Sequence, residues 1–164
     1  MEELIIGFPP IKGNQPKVLI LGTMPSVISL RNNEYYANPM NAFWKIIFAI
    51  KGTTTSSIYE ERTRLIKEMD LALWDICHTC IRPGSADSDI HNEVANPIIA
   101  LLAENPSIRT ILFNGQAAQK LFFRHFKTIK NINLITLPST SPAYTLPFQK
   151  KLEIWKSAFN QLTL

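Results

Sequence analysis

Four short runs of apolar residues stand out along the chain, and each ends in polar or turn-forming residues. They cover residues 17–22, 71–77, 109–114 and 132–137. Runs of this length, rich in leucine and β-branched residues and followed by turn residues, are typical of buried β-strands. The pattern therefore predicts four strands that are covered on both faces.

Segments with helical spacing lie between and after these runs. The predicted helices span residues 43–50, 62–69, 97–104, 117–126 and 148–162. We expect Asn96 to cap the third helix, with Pro97 at its first position. Because strands alternate with helices, we expect a single domain over residues 1–164 with an α/β fold: three layers, α/β/α, around a central, mainly parallel four-stranded sheet.

Length and composition agree with this fold. A chain of 164 residues that is 46% hydrophobic and 18% charged suits one domain with a substantial core, and these values exclude disordered and fibrous proteins. No apolar run approaches the roughly 20 residues of a membrane-spanning helix. Glu2 and Glu3 stand where an export signal would be basic. We therefore expect a cytoplasmic protein.

Charge and loop positions suggest where a ligand would bind. Residues 1–104 carry nine Lys/Arg and twelve Asp/Glu, whereas residues 105–164 carry eight and one. Such a basic region favours an anionic partner such as nucleic acid, although many basic faces are only solvated surface. In an open α/β sheet, ligands bind beyond the carboxyl ends of the strands. This rule selects the loops 23–40, 78–89, 114–115 and 138–147, of which the first has no periodic pattern and is long enough to suggest a function.

Common catalytic motifs are missing. The chain has no phosphate-binding loop, no dinucleotide-binding glycine motif, no hydrolase nucleophile elbow and no zinc-protease motif. Cys77 and Cys80 form a C-x-x-C that could be a redox pair or half a zinc site, with His78 and His91 as further ligands. We favour two buried thiols, because no second cysteine pair completes such a site.

Five motifs lie at the predicted strand ends. In chain order they are G-T-M-P-S at 22–26, Y-Y-A-x-P-x-N-x-F-W at 35–44, L-W-D-x-x-x-x-C-x-R-x-G-S-x-D-S-x-I at 73–90, F-N-G at 113–115 and L-P-S-T-S-P-A at 137–143. Each is weak alone. Together and in this order they resemble the uracil-DNA glycosylase superfamily, in particular its hypoxanthine-DNA glycosylase (DNA-deoxyinosine glycosylase) branch, with the mismatch-specific uracil-DNA glycosylases next.

The resemblance implies a base-excision repair enzyme with the superfamily's three-layer fold. Such an enzyme rotates a deaminated nucleotide out of the duplex and hydrolyses its N-glycosidic bond. We expect hypoxanthine to be preferred to uracil, and we expect a water nucleophile without strand cleavage because no lysine falls in the matched motifs. The implied partner is DNA containing a deaminated base, with no cofactor, metal or membrane. We expect a monomer in the cytoplasm, associated with the nucleoid.

Roles at the base follow from the same resemblance. Asn41 matches the essential asparagine of the hypoxanthine-acting branch, although capping of the following helix would also explain it. Tyr36 matches the stacking aromatic, against the alternative of a core tyrosine, and Asn114 matches the base-reading asparagine, against that of a turn residue. Thr23 and Met24 complete the base pocket. Met24 stands where many members carry a catalytic Asp or Asn.

Contacts to the DNA backbone are implied for a second group of residues. Ser26, Ser139 and Ser141 are predicted phosphate clamps, Tyr144 or Leu146 is the predicted wedge that fills the vacated stack, and Lys150 and Lys151 are predicted phosphate contacts. As isolated residues, these serines and lysines would be ordinary turn and surface residues.

Two features differ from the related mismatch-specific uracil-DNA glycosylases and leave other functions open. Asn38 stands where these often have histidine, and the loop at 137–143 has no histidine. One alternative is a G:T/U mismatch-specific uracil-DNA glycosylase, and another is an inactive nucleic-acid-binding module of the same fold. A serine hydrolase using Ser139 or Ser141 is disfavoured, because it would lack both an elbow and a matched base.

Overall fold

A computed structural model describes residues 2–162. Its strands are β1 (Leu4–Ile6), β2 (Ile11–Lys12), β3 (Val18–Gly22), β4 (Leu71–Asp75), β5 (Cys77–Ile81), β6 (His91–Ala95), β7 (Thr110–Asn114) and β8 (Asn133–Leu137). Its α-helices are α1 (Val27–Asn32), α2 (Phe43–Lys51), α3 (Tyr59–Glu68), α4 (Ile98–Glu104), α5 (Gln116–His125) and α6 (Phe148–Gln161). A 3₁₀ turn covers Asp87–Asp89.

The central sheet has five strands in the order β2-β4-β3-β7-β8. The four strands predicted from the sequence form its parallel part, with β3 between β4 and β7. The additional strand, β2, is antiparallel to β4 at the sheet edge. It was missed because two residues are too few to show an apolar run.

Side chains alternate between the two faces of this sheet. Val18 and Ile20 pack in one core with the buried residues of α2, α3 and α6. Leu19 and Leu21 pack in a second core with residues of α4, α5 and β5. A fully buried strand with period-2 alternation into two cores is what a three-layer arrangement requires, so the predicted fold class is confirmed.

A second, antiparallel sheet has the order β1-β5-β6. The prediction that Cys77 ends a strand and that residues 78–89 form a loop is wrong, because β4 ends at Asp75 and β5 runs from Cys77 to Ile81. Asn96 does not cap α4 as predicted. Its buried Nδ2 instead donates to the carbonyl oxygens of Asp75 (2.8 Å) and Cys77 (3.0 Å), which fixes the bend between the two strands.

The loop after β3 is more ordered than predicted, because residues 27–32 form α1. Ser26 is the N-cap of this helix, with its Oγ accepting from the backbone N–H of Ser29 at 3.2 Å. Six residues are too few to show a helical period, which explains the omission. Among residues 2–162, no helix combines the length and apolar character needed to cross a bilayer.

Candidate active site

A cleft of about 350 Å³ opens where β3, β4, β7 and β8 end. This volume lies within the usual range for small-molecule sites. All four parallel strands contribute to its wall, through their last residues or the segments that follow them. Of the residues predicted from the sequence, the cleft brings together Thr23, Met24, Ser26, Tyr36, Asn41, Asn114, Ser139 and Ser141.

Asn41 lies just before α2. Its Oδ1 accepts from the backbone N–H of Phe43 at 2.9 Å, and its own N–H donates to the carbonyl of Asn38 at 2.9 Å. The next residue, Ala42, donates its N–H to the carbonyl of Thr140 at 2.9 Å, which ties this turn to the loop after β8. Within the described residues, Nδ2 of Asn41 has no protein acceptor, so it is the part of the amide that a ligand could use.

Asn114 ends β7 and has a fixed amide orientation. Its Oδ1 accepts from the backbone N–H of Thr140 at 2.9 Å, which identifies the oxygen without ambiguity. Its Nδ2 donates to the hydroxyl oxygens of Tyr36 (3.1 Å) and Thr140 (3.0 Å). Both donors are therefore used within the protein, and a ligand would find one free lone pair on Oδ1.

Tyr36 adopts a left-handed backbone conformation, with φ of 53°. Such a conformation costs about 1–3 kcal/mol in a residue with a side chain, and it is found preferentially at functional sites. The ring stacks on Phe43 with centroids 4.1 Å apart and planes inclined by 25°. Because Phe43 covers one face of the ring, only the opposite face could receive a base. Burial raises the pKa of Tyr36, so its hydroxyl keeps its proton.

Asp75, the last residue of β4, is a cleft residue that our sequence reasoning did not single out. Its side chain is 5% exposed, and Oδ2 is enclosed without a hydrogen-bond partner among the described residues. The pKa of Asp75 is raised to about 7, mainly by burial and also by the nearby Asp87, while Arg82 acts in the opposite direction. An acidic residue inside an otherwise apolar strand, close to its carboxyl end, was the available signal.

Thr23 and Met24 form the wall beside this carboxyl group. The Thr23 hydroxyl donates to Oδ1 of Asp87 at 2.6 Å and so holds the 3₁₀ turn against the cleft. Met24 is 6% exposed and packs with the core on the α4–α5 side of the sheet, so it supplies apolar surface.

Comparison with known proteins agrees with this geometry. A family model of the uracil DNA glycosylase superfamily matches residues 9–163. The chain belongs to this superfamily. A hypoxanthine DNA glycosylase of Methanosarcina acetivorans is 32% identical over 156 residues, which cover 93% of this chain and 96% of the relative. A hypoxanthine DNA glycosylase of Methanosarcina barkeri is 35% identical over 111 residues, which cover 67% of this chain and 70% of the relative.

The fold of this superfamily member also resembles a solved structure. A solution NMR structure of a candidate uracil DNA glycosylase from Methanosarcina acetivorans superposes with a TM-score of 0.81 and 30% identity, over 96% of this chain and 97% of that one. The resemblance indicated by the five motifs is thereby confirmed.

Residues 138–147 form the loop that follows β8 in this uracil DNA glycosylase superfamily member. Hydrogen bonds from its own serines, close packing on Gly115 and a contact with Lys151 hold this loop in place. Oγ of Ser139 accepts from the N–H of Ser141, and Oγ of Ser141 accepts from the N–H of Ala143, both at 3.2 Å. Gly115 has a φ of 97°, and a side-chain carbon there would lie 2.9 Å from Cβ of Ser139. A glycine is therefore needed for the loop to pack this closely on β7.

Lys151 has a different role from the predicted phosphate contact. It is only 4% exposed, its Nζ donates to the carbonyl of Ser141 at 2.9 Å, and it lies 5.4 Å from the centre of the Tyr144 ring. Its ammonium group thus braces the loop from α6 instead of facing solvent. Lys150 is exposed, as a phosphate contact must be. Of the two wedge residues, Tyr144 is exposed and Leu146 is half-buried.

The two cysteines are buried thiols, in agreement with the interpretation we favoured. Cys77 and Cys80 are both fully buried and reduced. Burial raises the pKa of each, which disfavours the reactive thiolate. Within residues 2–162, no three His, Cys, Asp or Glu side chains are close enough together to hold a metal ion.

Proposed function

We propose that this superfamily member is a DNA glycosylase that removes hypoxanthine by hydrolysing the N-glycosidic bond of deoxyinosine. Two relatives at 32% and 35% identity carry the name hypoxanthine DNA glycosylase. The observation that carries the proposal is the placement of Asn41, Tyr36 and Asn114 in one cleft at the carboxyl edge of the sheet. A cleft of this size receives one base, which must leave the duplex to enter it.

Recognition of the base would combine stacking with one directed hydrogen bond. The open face of Tyr36 stacks on the flipped base, since its other face is covered by Phe43. Hypoxanthine carries a donor at N1–H, which the free lone pair of Asn114 Oδ1 can accept. Adenine carries an acceptor at N1, so the same oxygen would face another acceptor at a cost of about 1–3 kcal/mol. The hydrogen bond from the N–H of Thr140 fixes the orientation of the Asn114 amide and so makes this selection possible.

Bond breaking would depend on Asn41. As the bond from C1′ to N9 lengthens, positive charge develops on the sugar and negative charge on the base. The Nδ2 group of Asn41 donates to the departing base, because the carbonyl end of this amide already accepts from Phe43. Water then attacks C1′. Among the described residues, no lysine side chain lines the cleft to form a covalent intermediate, which supports a monofunctional reaction.

Binding of the surrounding DNA would use the edge of the cleft. Ser26, Ser139 and Ser141 lie beside the base position and can contact phosphates, while the exposed Tyr144 ring can fill the vacated stack. A single chain carries all of these groups, so we propose a monomer. A chromosomal DNA substrate would place the protein with the nucleoid in the cytoplasm.

Lys150 should contribute a phosphate contact that is measurable through salt. We expect Lys150→Ala to weaken DNA binding similarly for all sequences and to reduce the slope of log K against log salt by about 1. Fluorescence anisotropy between low and physiological salt measures this slope. Lys156→Ala is the matched control, because Lys156 is also exposed on α6 but lies about 9 Å farther along the helix. Equal slopes for Lys150→Ala and wild type would show that Lys150 makes no phosphate contact.

A single-turnover assay tests the function. Wild-type protein is incubated with duplexes carrying deoxyinosine or deoxyuridine opposite each base, and with the corresponding single strands, and abasic sites are scored. We expect faster release of hypoxanthine than of uracil, no release of adenine, and faster release from mismatches and single strands, where extrusion costs less. Faster release of uracil in every context would identify a mismatch-specific uracil DNA glycosylase. Binding without any abasic sites would identify an inactive nucleic-acid-binding module, which the presence of Met24 would then explain.

A further inference from the structure

One group in the cleft has no role in the reaction described so far. Asp75 is 5% exposed and lines the cleft, and its Oδ2 is enclosed without a hydrogen-bond donor among the described residues. A buried acceptor without a partner costs about 1–3 kcal/mol, so such groups are rare away from functional sites. The neighbouring Asn96 binds the backbone carbonyls of Asp75 and Cys77 and not the side chain of Asp75.

The absence of a side chain at Gly22 opens the cleft toward this carboxyl group. Gly22 pairs with Asp75 in the register of β3 and β4. A Cβ atom at Gly22 would lie 2.5 Å from Oδ1 of Asp75 and 3.0 Å from the hydroxyl oxygen of Tyr36. Both groups therefore approach the same point, and Tyr36 is in turn held by Nδ2 of Asn114. The result is a row of polar groups along the carboxyl ends of β4, β3 and β7.

Resting on the proposed function, we propose that Asp75 is a further catalytic residue, which acts as a neutral carboxylic acid and donates a hydrogen bond to the carbonyl oxygen of the flipped base. In hypoxanthine this oxygen is O6, next to the N1–H group assigned to Asn114. The C1′–N9 bond breaks with both electrons remaining on the base, and a hydrogen bond to O6 stabilises that charge. Water supplies the new bond to C1′ and the proton that neutralises the base, so Asp75 ends the reaction with its own proton.

The surroundings of Asp75 favour the neutral acid. Burial, and to a smaller extent Asp87, raise the pKa of Asp75 against the opposing effect of Arg82, and the result is a pKa of about 7. Tyr35 and Tyr36 also face this carboxyl group, and burial keeps both protonated by raising their pKa values. Cys77 stays a thiol for the same reason. A base that fills the cleft removes further water, which shifts Asp75 still more toward the acid form.

The sign of the pH dependence follows. The acid form is present below the pKa and is lost as pH rises through it, so excision should be fastest below about pH 7 and fall by about tenfold per pH unit well above the pKa. At saturating enzyme the fall should begin at higher pH, because the bound base raises the pKa. An ionised Asp75 would instead repel the negative charge that develops on the base.

Two variants test the role of Asp75 by single-turnover excision of deoxyinosine between about pH 5.5 and pH 9. Asp75→Asn offers an N–H donor at every pH, so we expect a plateau rate within about tenfold of wild type and no fall at high pH. Asp75→Leu keeps the branched outline of the side chain, with larger methyl groups in place of the oxygens and no donor, so we expect at least a tenfold loss at low pH and no fall at high pH. Circular dichroism and thermal unfolding confirm that each variant is folded.

Several outcomes would overturn the inference. If the excision rate of Asp75→Asn falls at high pH as it does in wild type, another group is responsible for the titration. If folded Asp75→Leu excises at the wild-type rate, a hydrogen bond from Asp75 does not contribute to catalysis. If Asp75→Leu does not fold, the pH profile of Asp75→Asn decides. If wild-type protein excises no base, the proposed function fails and this inference fails with it. If wild type is active but substitution of Asp75 does not change the pH profile, this inference alone is wrong.

Discussion

Replacing Asn41 with alanine should remove most base excision and leave the fold intact. The Nδ2 group of Asn41 is an amide donor in the cleft that has no acceptor among the described residues. Loss of one preorganised donor at a reacting centre typically lowers the rate by about 10²–10³-fold, or about 3–4 kcal/mol of transition-state stabilisation. Single-turnover excision of deoxyinosine gives the rate, and urea unfolding gives the stability.

Asn41→Asp separates catalysis from helix capping. The aspartate keeps an oxygen for the N–H of Phe43 and carries a negative charge near the start of α2, where it is stabilising. It has no amide N–H. We expect wild-type stability together with the same loss of excision as in Asn41→Ala. If Asn41 only caps the helix, Asn41→Ala should lose about 1 kcal/mol of stability and remain active, and Asn41→Asp should resemble wild type.

Replacing Trp155 with alanine should destabilise the protein by about 3–5 kcal/mol, the range typical of large buried aromatic residues. Trp155 is fully buried, and its ring meets that of Phe43 edge to face with centroids 6.2 Å apart. Its Nε1–H donates to the carbonyl of Pro138 at 2.9 Å, so the same side chain supports both the core and the loop after β8. Urea unfolding measures the free energy.

Trp155→Phe keeps an aromatic ring in the core and removes the hydrogen bond to Pro138. We expect it to cost less than the alanine variant, at about 1–3 kcal/mol for the smaller ring and the unpaired carbonyl. We also expect excision to fall although the protein stays folded, because the loop that carries Ser139 and Ser141 loses an anchor. An unchanged excision rate in a folded Trp155→Phe would show that the loop does not need this hydrogen bond.

The parallel strands could be predicted because each is an apolar run with a clear end. The strand at Val18–Gly22 is buried at every position, and its sequence shows this directly. The pair Ile11–Lys12 and the helix Val27–Asn32 are too short to leave a pattern in the sequence. The strand at Cys77–Ile81 was missed because it follows β4 after a single residue, so the two strands appear as one run.

Site residues could be predicted where they belong to a specific motif. Asn41 and Tyr36 lie in a specific motif, and the structure places both at the cleft. Asp75 could not be singled out in this way, because it lies inside a predicted buried strand, where a side chain usually belongs to the core. The sequence predicts a phosphate contact for Lys151 because this residue lies just beyond the loop at 138–147 and lysines are mostly exposed. Only the three-dimensional structure shows that its ammonium group donates to the carbonyl of Ser141.

The two side chains that hold the loop after β8 come later in the sequence than the loop itself. Pro138 and Ser141 are held by Trp155 and Lys151, which both lie on α6. During synthesis on the ribosome, the chain through the end of β8 already contains Asn41, Tyr36 and Asn114, but not the helix that fixes the last wall of the cleft. Because these two side chains are made later, the nascent chain should complete its core sheet before it acquires a rigid binding site for a flipped base.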